Sequence, residues 1–81
     1  MNSKTLEQKL KGRFPANVVQ FHTAGERVEV RPTLKDEIHL IISENTVALT
    51  DTEENELAEF DLASESLVDD IEKRVRKYIL S

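Results

Sequence analysis

Between Asn17 and Leu62, apolar residues return at every second position in five short bursts, and this rhythm restricts the fold more than any other property of the chain. The bursts are Val19 and Phe21 in NVVQFHT, Val28 and Val30 in ERVEVRP, and Ile38, Leu40 and Ile42 in EIHLIIS. Val47 and Leu49 in TVALT and Ala58, Phe60 and Leu62 in LAEFDL complete them. Side chains alternate across a pleated strand, so each burst places one apolar row on a single face and leaves the other face polar. The separating segments are short and turn-like: Ala24-Gly25-Glu26, Pro32 to Asp36, Ser43-Glu44-Asn45, and the acidic stretch that starts at Asp51. Strands are expected at about 17–23, 27–32, 37–43, 46–50 and 57–62. Links this short favour antiparallel neighbours in a meander, although periodicity alone does not order the strands.

The two ends of the chain change period. Leu6 and Leu10 lie four apart, with Ser3 or Thr5 as candidate caps and Thr5 three residues before Gln8. Gly12 tolerates left-handed backbone and Pro15 disfavours helix at Phe14, so this helix is expected at about 3–12. Leu67, Ile71, Val75 and Tyr78 recur at steps of four, four and three, with Val68, Ile79 and Leu80 widening the stripe. Ser66 precedes Asp69 by three, and Ser64 competes with it as a cap. Acids gather at the amino end and bases at the carboxyl end, as the backbone dipole favours, with Asp69–Lys73, Asp70–Arg74 and Glu72–Arg76 at i,i+4 spacing. This second helix is expected at about 65–80. The expectation is one small α+β domain over residues 1–81, with the longer carboxyl-terminal helix packed on one face of the sheet. A closed barrel is the less favoured alternative, because only two glycines are present to make its sharp bends.

A chain of 81 residues buries only about 60% of its unfolded surface, so a thin core or a homodimer is expected. Ile41 departs from the alternation and is the candidate contact for a second copy; the exposed side of Leu80 is another. Phe21 and Phe60 are expected at the centre of the core, with the Tyr78 ring laid on the sheet and its hydroxyl in water. The chain has no cysteine, which removes thiolate metal sites and thiol nucleophiles. It lacks a secretory-type apolar run and any membrane-length apolar segment, so a cytoplasmic protein is expected.

Charge is the feature that bears on function. Residues 36–72 carry thirteen acids and no Lys or Arg, while residues 1–35 and 73–81 each carry a net +4, for a total of −5. Asp51, Glu53, Glu54, Glu56, Glu59 and Asp61 crowd the expected fourth link and fifth strand, and are the candidate partner-binding residues. The function expected from this polarity is a small, acidic, non-enzymatic interaction or accessory module that binds a basic protein partner. One alternative is a nucleic-acid mimic that inhibits a DNA- or RNA-binding protein. Another is nucleic-acid binding through Lys4, Lys9, Lys11 and Arg13 with Lys73, Arg74, Arg76 and Lys77, if the two helices lie side by side. An acidic pI near 5.0 and few aromatics near these bases weigh against it.

Catalytic motifs are absent: there is no phosphate loop, nucleophile elbow or HExxH, and the acidic loop fails the calcium pattern at its sixth and twelfth positions, Glu56 and Leu62. No catalytic residue, cofactor or metal site is expected. His22 and His39 fall on the polar faces of the first and third strands. Metal binding would need the two rings brought together with a nearby carboxylate such as Glu37. In a meander, however, these strands stand about 10 Å apart, too far for a shared small ion without a different sheet order.

Overall fold

A computed structural model describes residues 1–81. The chain runs α1 (Ser3–Lys11), β1 (Val19–Ala24), β2 (Arg27–Pro32), β3 (Ile38–Ile42), β4 (Thr46–Thr50), β5 (Glu56–Asp61) and α2 (Leu67–Leu80). The strands form one antiparallel sheet in sequence order, so β3 is central and β1 and β5 are the edges. The α+β meander expected from the sequence is the fold observed. No helix is long and apolar enough to cross a membrane.

Register follows from keeping the apolar rows together. Val28 lies opposite Leu40, Leu40 opposite Leu49, and Leu49 opposite Ala58, so a continuous apolar row crosses the sheet on its inner face. Leu6 and Leu10 of α1 and Leu67, Ile71 and Val75 of α2 cover that face; Leu6, Leu10, Ile71 and Val75 are fully buried. The outer face carries no helix.

Several local details differ from the sequence reading. Asn2, rather than Ser3 or Thr5, caps α1: its Oδ1 accepts from the Thr5 amide at 2.8 Å. The Ser3 hydroxyl instead donates to the Gly25 carbonyl at 2.7 Å and ties the helix to the first hairpin. Gly12 ends α1 in right-handed backbone, φ −70°, so its freedom is unused; Gly25, at φ +62°, is the glycine the β1–β2 turn requires. β1 begins at Val19 because the preceding residues form a turn, with the Val18 and Val19 amides donating to the Pro15 carbonyl at 3.0 and 3.3 Å. Ser66 precedes α2 but makes no side-chain capping bond; its hydroxyl donates to Asp70 Oδ2 at 2.8 Å.

Two aromatic residues sit differently from expectation. Phe60 is half-buried, not central, because it lies on the edge strand, whereas Phe21 is 6% exposed and stacks at a tilt on Phe14, centroids 5.6 Å apart. The Tyr78 hydroxyl donates to the Asp36 carbonyl at 2.9 Å instead of facing water, and so anchors α2 to the β2–β3 link.

The helices also close part of each sheet edge. Glu7 of α1 accepts from the Thr23 amide at 2.8 Å, and Arg74 of α2 donates to the Leu57 carbonyl at 3.0 Å. Each bond occupies a backbone group that a free edge would offer to another strand.

Candidate functional site

Each arginine is bonded to another group of the protein at its surface. Arg13, just beyond α1, reaches across to α2 and holds Asp69 at 2.6 Å and Glu72 at 2.8 Å. Its guanidinium keeps both carboxyls below their ordinary range, with Arg76 adding to the effect on Glu72. Arg76 bonds Glu72 at 2.9 Å, donates to the Arg13 carbonyl at 2.8 Å, and lies 4.7 Å above the Phe14 ring. Of the three i,i+4 pairs expected in α2, only Glu72–Arg76 forms; Asp69 turns to Arg13, Asp70 to Ser66, and Arg74 to Leu57. Arg27 and Arg31 are engaged by acids on the outer face of the sheet. The helix ends therefore meet through a surface ion network, and Lys4, Lys9, Lys73, Arg74 and Lys77 are the bases there without an ion-pair partner.

None of Asp51, Glu53, Glu54, Glu56, Glu59 and Asp61 joins any of the side-chain ion pairs. Their roles nevertheless divide. Asp51 organises the β4–β5 loop, accepting from the Glu53 and Asn55 amides at 2.9 Å each and from Asn55 Nδ2 at 3.0 Å. Those bonds, the Asn55 side chain first, hold its carboxyl below the usual range. Asp61 similarly accepts from the Ala63 amide at 2.9 Å as the chain leaves β5. Glu53, Glu54, Glu56 and Glu59 are exposed, and their side chains make no hydrogen bond within the protein. Glu54 is also the only non-glycine residue in left-handed backbone, φ 66°. Acids along β5 have a structural use as well, since charge on an edge strand discourages pairing with another chain.

Beside this loop, a cavity of about 500 Å³ is walled by Asp36, Glu37, Asp51 and Glu53 together with Leu57 and Tyr78. Burial raises the Tyr78 phenol above its ordinary value, and the charges of Asp36 and Asp51 raise it further. The loop, the cavity and β5 thus form one acidic flank at the end and edge of the sheet.

The outer face of the sheet holds a second polar group. His22 lies opposite Glu29, Glu29 opposite His39, and His39 opposite Thr50, which forms one row across β1 to β4. His39 Nε2 is 2.7 Å from Glu37 Oε2, and Arg31 bridges Glu29 at 2.6 Å and Glu37 at 3.0 Å. The Glu37 carboxyl is held below its usual range by His39 first and Arg31 second. One donor atom from each of Glu29, Glu37 and His39 lies within 4.8 Å of the others, which makes them the residues able to hold a metal. The meander separates the two histidine strands as expected, but Glu29 fills the gap between them. The outward phase of Glu29 and His39 was legible from alternation; their juxtaposition depended on register. Ile41 stands on this face, half-buried, between Arg27 and Ala48.

Comparison with protein families, with curated proteins and with solved structures gives no match for this chain.

Proposed function

We propose that the protein is a small non-enzymatic interaction or accessory module that binds a basic protein partner through the β4–β5 loop and β5. The observation that carries this reading is the asymmetry of charge use. Four of the five arginines are paired with acids of the protein and Arg74 bonds a backbone carbonyl, while Glu53, Glu54, Glu56 and Glu59 stand exposed and uncompensated on one flank. Such a field steers a basic partner and sets the register of encounter more than it adds raw affinity. Asp51 and Asp61 act differently in this scheme: they shape the loop and the strand exit that present the other four carboxylates. The left-handed backbone at Glu54 agrees with a loop held in one presented conformation.

The same reading places the protein in the cytoplasm and makes Ile41 the contact for a second copy. Affinity capture from a lysate of the native source tests it, with wild type compared against Glu53, Glu54, Glu56 and Glu59 all changed to Gln. A basic protein held by wild type and lost by the variant is the expected outcome. Equal capture by both proteins would make the four carboxylates solvated surface only. Capture of a nuclease or another DNA-binding protein would identify nucleic-acid mimicry as the form of the interaction.

A further inference from the structure

We infer that the outer face of the sheet holds a binding site for a divalent transition-metal ion of the zinc class. Glu29, Glu37 and His39 are its ligands. This inference does not rest on the partner-binding reading, although Glu37 also lines the cavity of the acidic flank.

The three donor atoms already converge within 4.8 Å. Around a tetrahedral ion with bonds of about 2.1 Å, neighbouring donors stand about 3.4 Å apart, so side-chain rotations close the remaining gap without moving the strands. Two carboxylate oxygens and one imidazole nitrogen are a donor set suited to zinc, cobalt or nickel. The carboxylates converge on positive charge as the protein stands. Arg31 donates to Glu29 at 2.6 Å and to Glu37 at 3.0 Å, and its guanidinium stands in for the charge of the ion. Its side chain is 50% exposed and can swing into water when an ion enters. The guanidinium makes no use of His39, whose Nε2 faces the same carboxylate at 2.7 Å.

A separate observation lies on the other side of His39. Thr50 is 4% exposed and its hydroxyl is the buried side-chain polar atom without a hydrogen-bond partner. It sits directly across from His39, and antiparallel partners direct their side chains to the same face. A metal-bound imidazole characteristically passes its other ring N–H to an acceptor, which fixes the tautomer and the ring orientation. With Nε2 toward the carboxylates, Nδ1–H of His39 has no acceptor and Thr50 Oγ1 no partner, so a bond between them on metal binding would satisfy both groups. Three protein ligands leave the fourth position to water, as in open zinc sites.

The test is calorimetric titration of the purified protein with Zn²⁺ in excess Mg²⁺, which saturates diffuse carboxylate binding. Long-range ¹H–¹⁵N spectra of the histidine rings in wild type accompany it. One Zn²⁺ per chain is expected, with the ring nitrogens of His39 shifted to metal-bound positions and those of His22 unmoved. Binding is lost in His39→Ala and in Glu37→Gln, is tighter in Arg31→Met, and is about tenfold weaker in Thr50→Val. The wild-type spectra decide the matter even if His39→Ala fails to fold. Absence of saturable one-to-one uptake by both wild type and Arg31→Met would overturn the site. So would uptake that leaves the His39 ring signals unmoved, which would assign the ion to the acidic flank.

Discussion

Leu40→Ala should destabilise the protein more than Phe60→Ala, although phenylalanine is the larger side chain. Leu40 sits on the central strand, 0% exposed, between Val28 and Leu49. Truncation removes about three carbon groups at about 0.8 kcal/mol each and leaves a cavity that the helices above cannot fill, for about 3–4 kcal/mol in all. Phe60 lies on edge strand β5, half-buried, where part of its ring already meets water. Its loss should cost about 1–2 kcal/mol, below the about 3–5 kcal/mol of a fully buried phenylalanine. A chain of this size has about 4–12 kcal/mol of total stability, so Leu40→Ala brings it near the unfolding threshold and Phe60→Ala does not. Urea unfolding followed by far-UV circular dichroism measures both differences. A Phe60→Ala cost equal to or above that of Leu40→Ala would refute the placement of β3 at the centre and β5 at the edge.

Three further outcomes are expected. Gly25→Ala, in left-handed backbone at φ +62°, should cost about 1 kcal/mol, whereas Gly12→Ala, in right-handed backbone with only the Lys9 carbonyl at 3.7 Å from the new carbon, should be neutral or stabilising by up to about 1 kcal/mol; thermal melts distinguish them. Asp69 and Glu72 have lowered carboxyl values in the fold, chiefly through Arg13. From about pH 5 downward the folded state therefore binds fewer protons than the unfolded one, and their stabilisation, complete above about pH 5, is lost as the pH falls through the folded values. Arg13→Gln should flatten that acid loss in urea titrations, and parallel curves for variant and wild type would contradict the pairing. Thr50→Val removes a buried hydroxyl that has no partner, so without metal it should raise stability, by up to about 1–3 kcal/mol, while weakening zinc uptake.

The sheet was legible because its pattern is local. Val28, Val30, Ile38, Leu40, Val47 and Leu49, the alternating residues of the second, third and fourth bursts apart from Ile42, are all buried on the helix side. α2 was legible for the same reason, since Leu67, Ile71 and Val75 follow the helical period without interruption. What alternation could not show was position across the sheet. Phe60 and Leu40 have the same phase, yet only register and strand order make one peripheral and the other central. The Glu29–His39 pair was hidden in the same way. Charge was misread where side chains could choose among partners: i,i+4 spacing favoured Asp69–Lys73, but Arg13, fifty-six residues away in sequence, offers Asp69 a hydrogen-bonded partner at 2.6 Å. Asn2 was missed as a cap because Ser3 and Thr5 have similar chemistry one and three residues later. The acidic flank itself was visible as composition, but the division between loop-forming Asp51 and Asp61 and the four free glutamates required the backbone.

The most direct measurement of the central claim is hydrogen-exchange footprinting of the protein in complex with its captured partner. Protection concentrated at residues 53–61, and weakened when salt is raised from about 50 to about 200 mM, is the predicted result. Protection confined to the lysine-bearing faces of α1 and α2, or to the outer face around Ile41, with residues 53–61 exchanging as in the free protein, would contradict it.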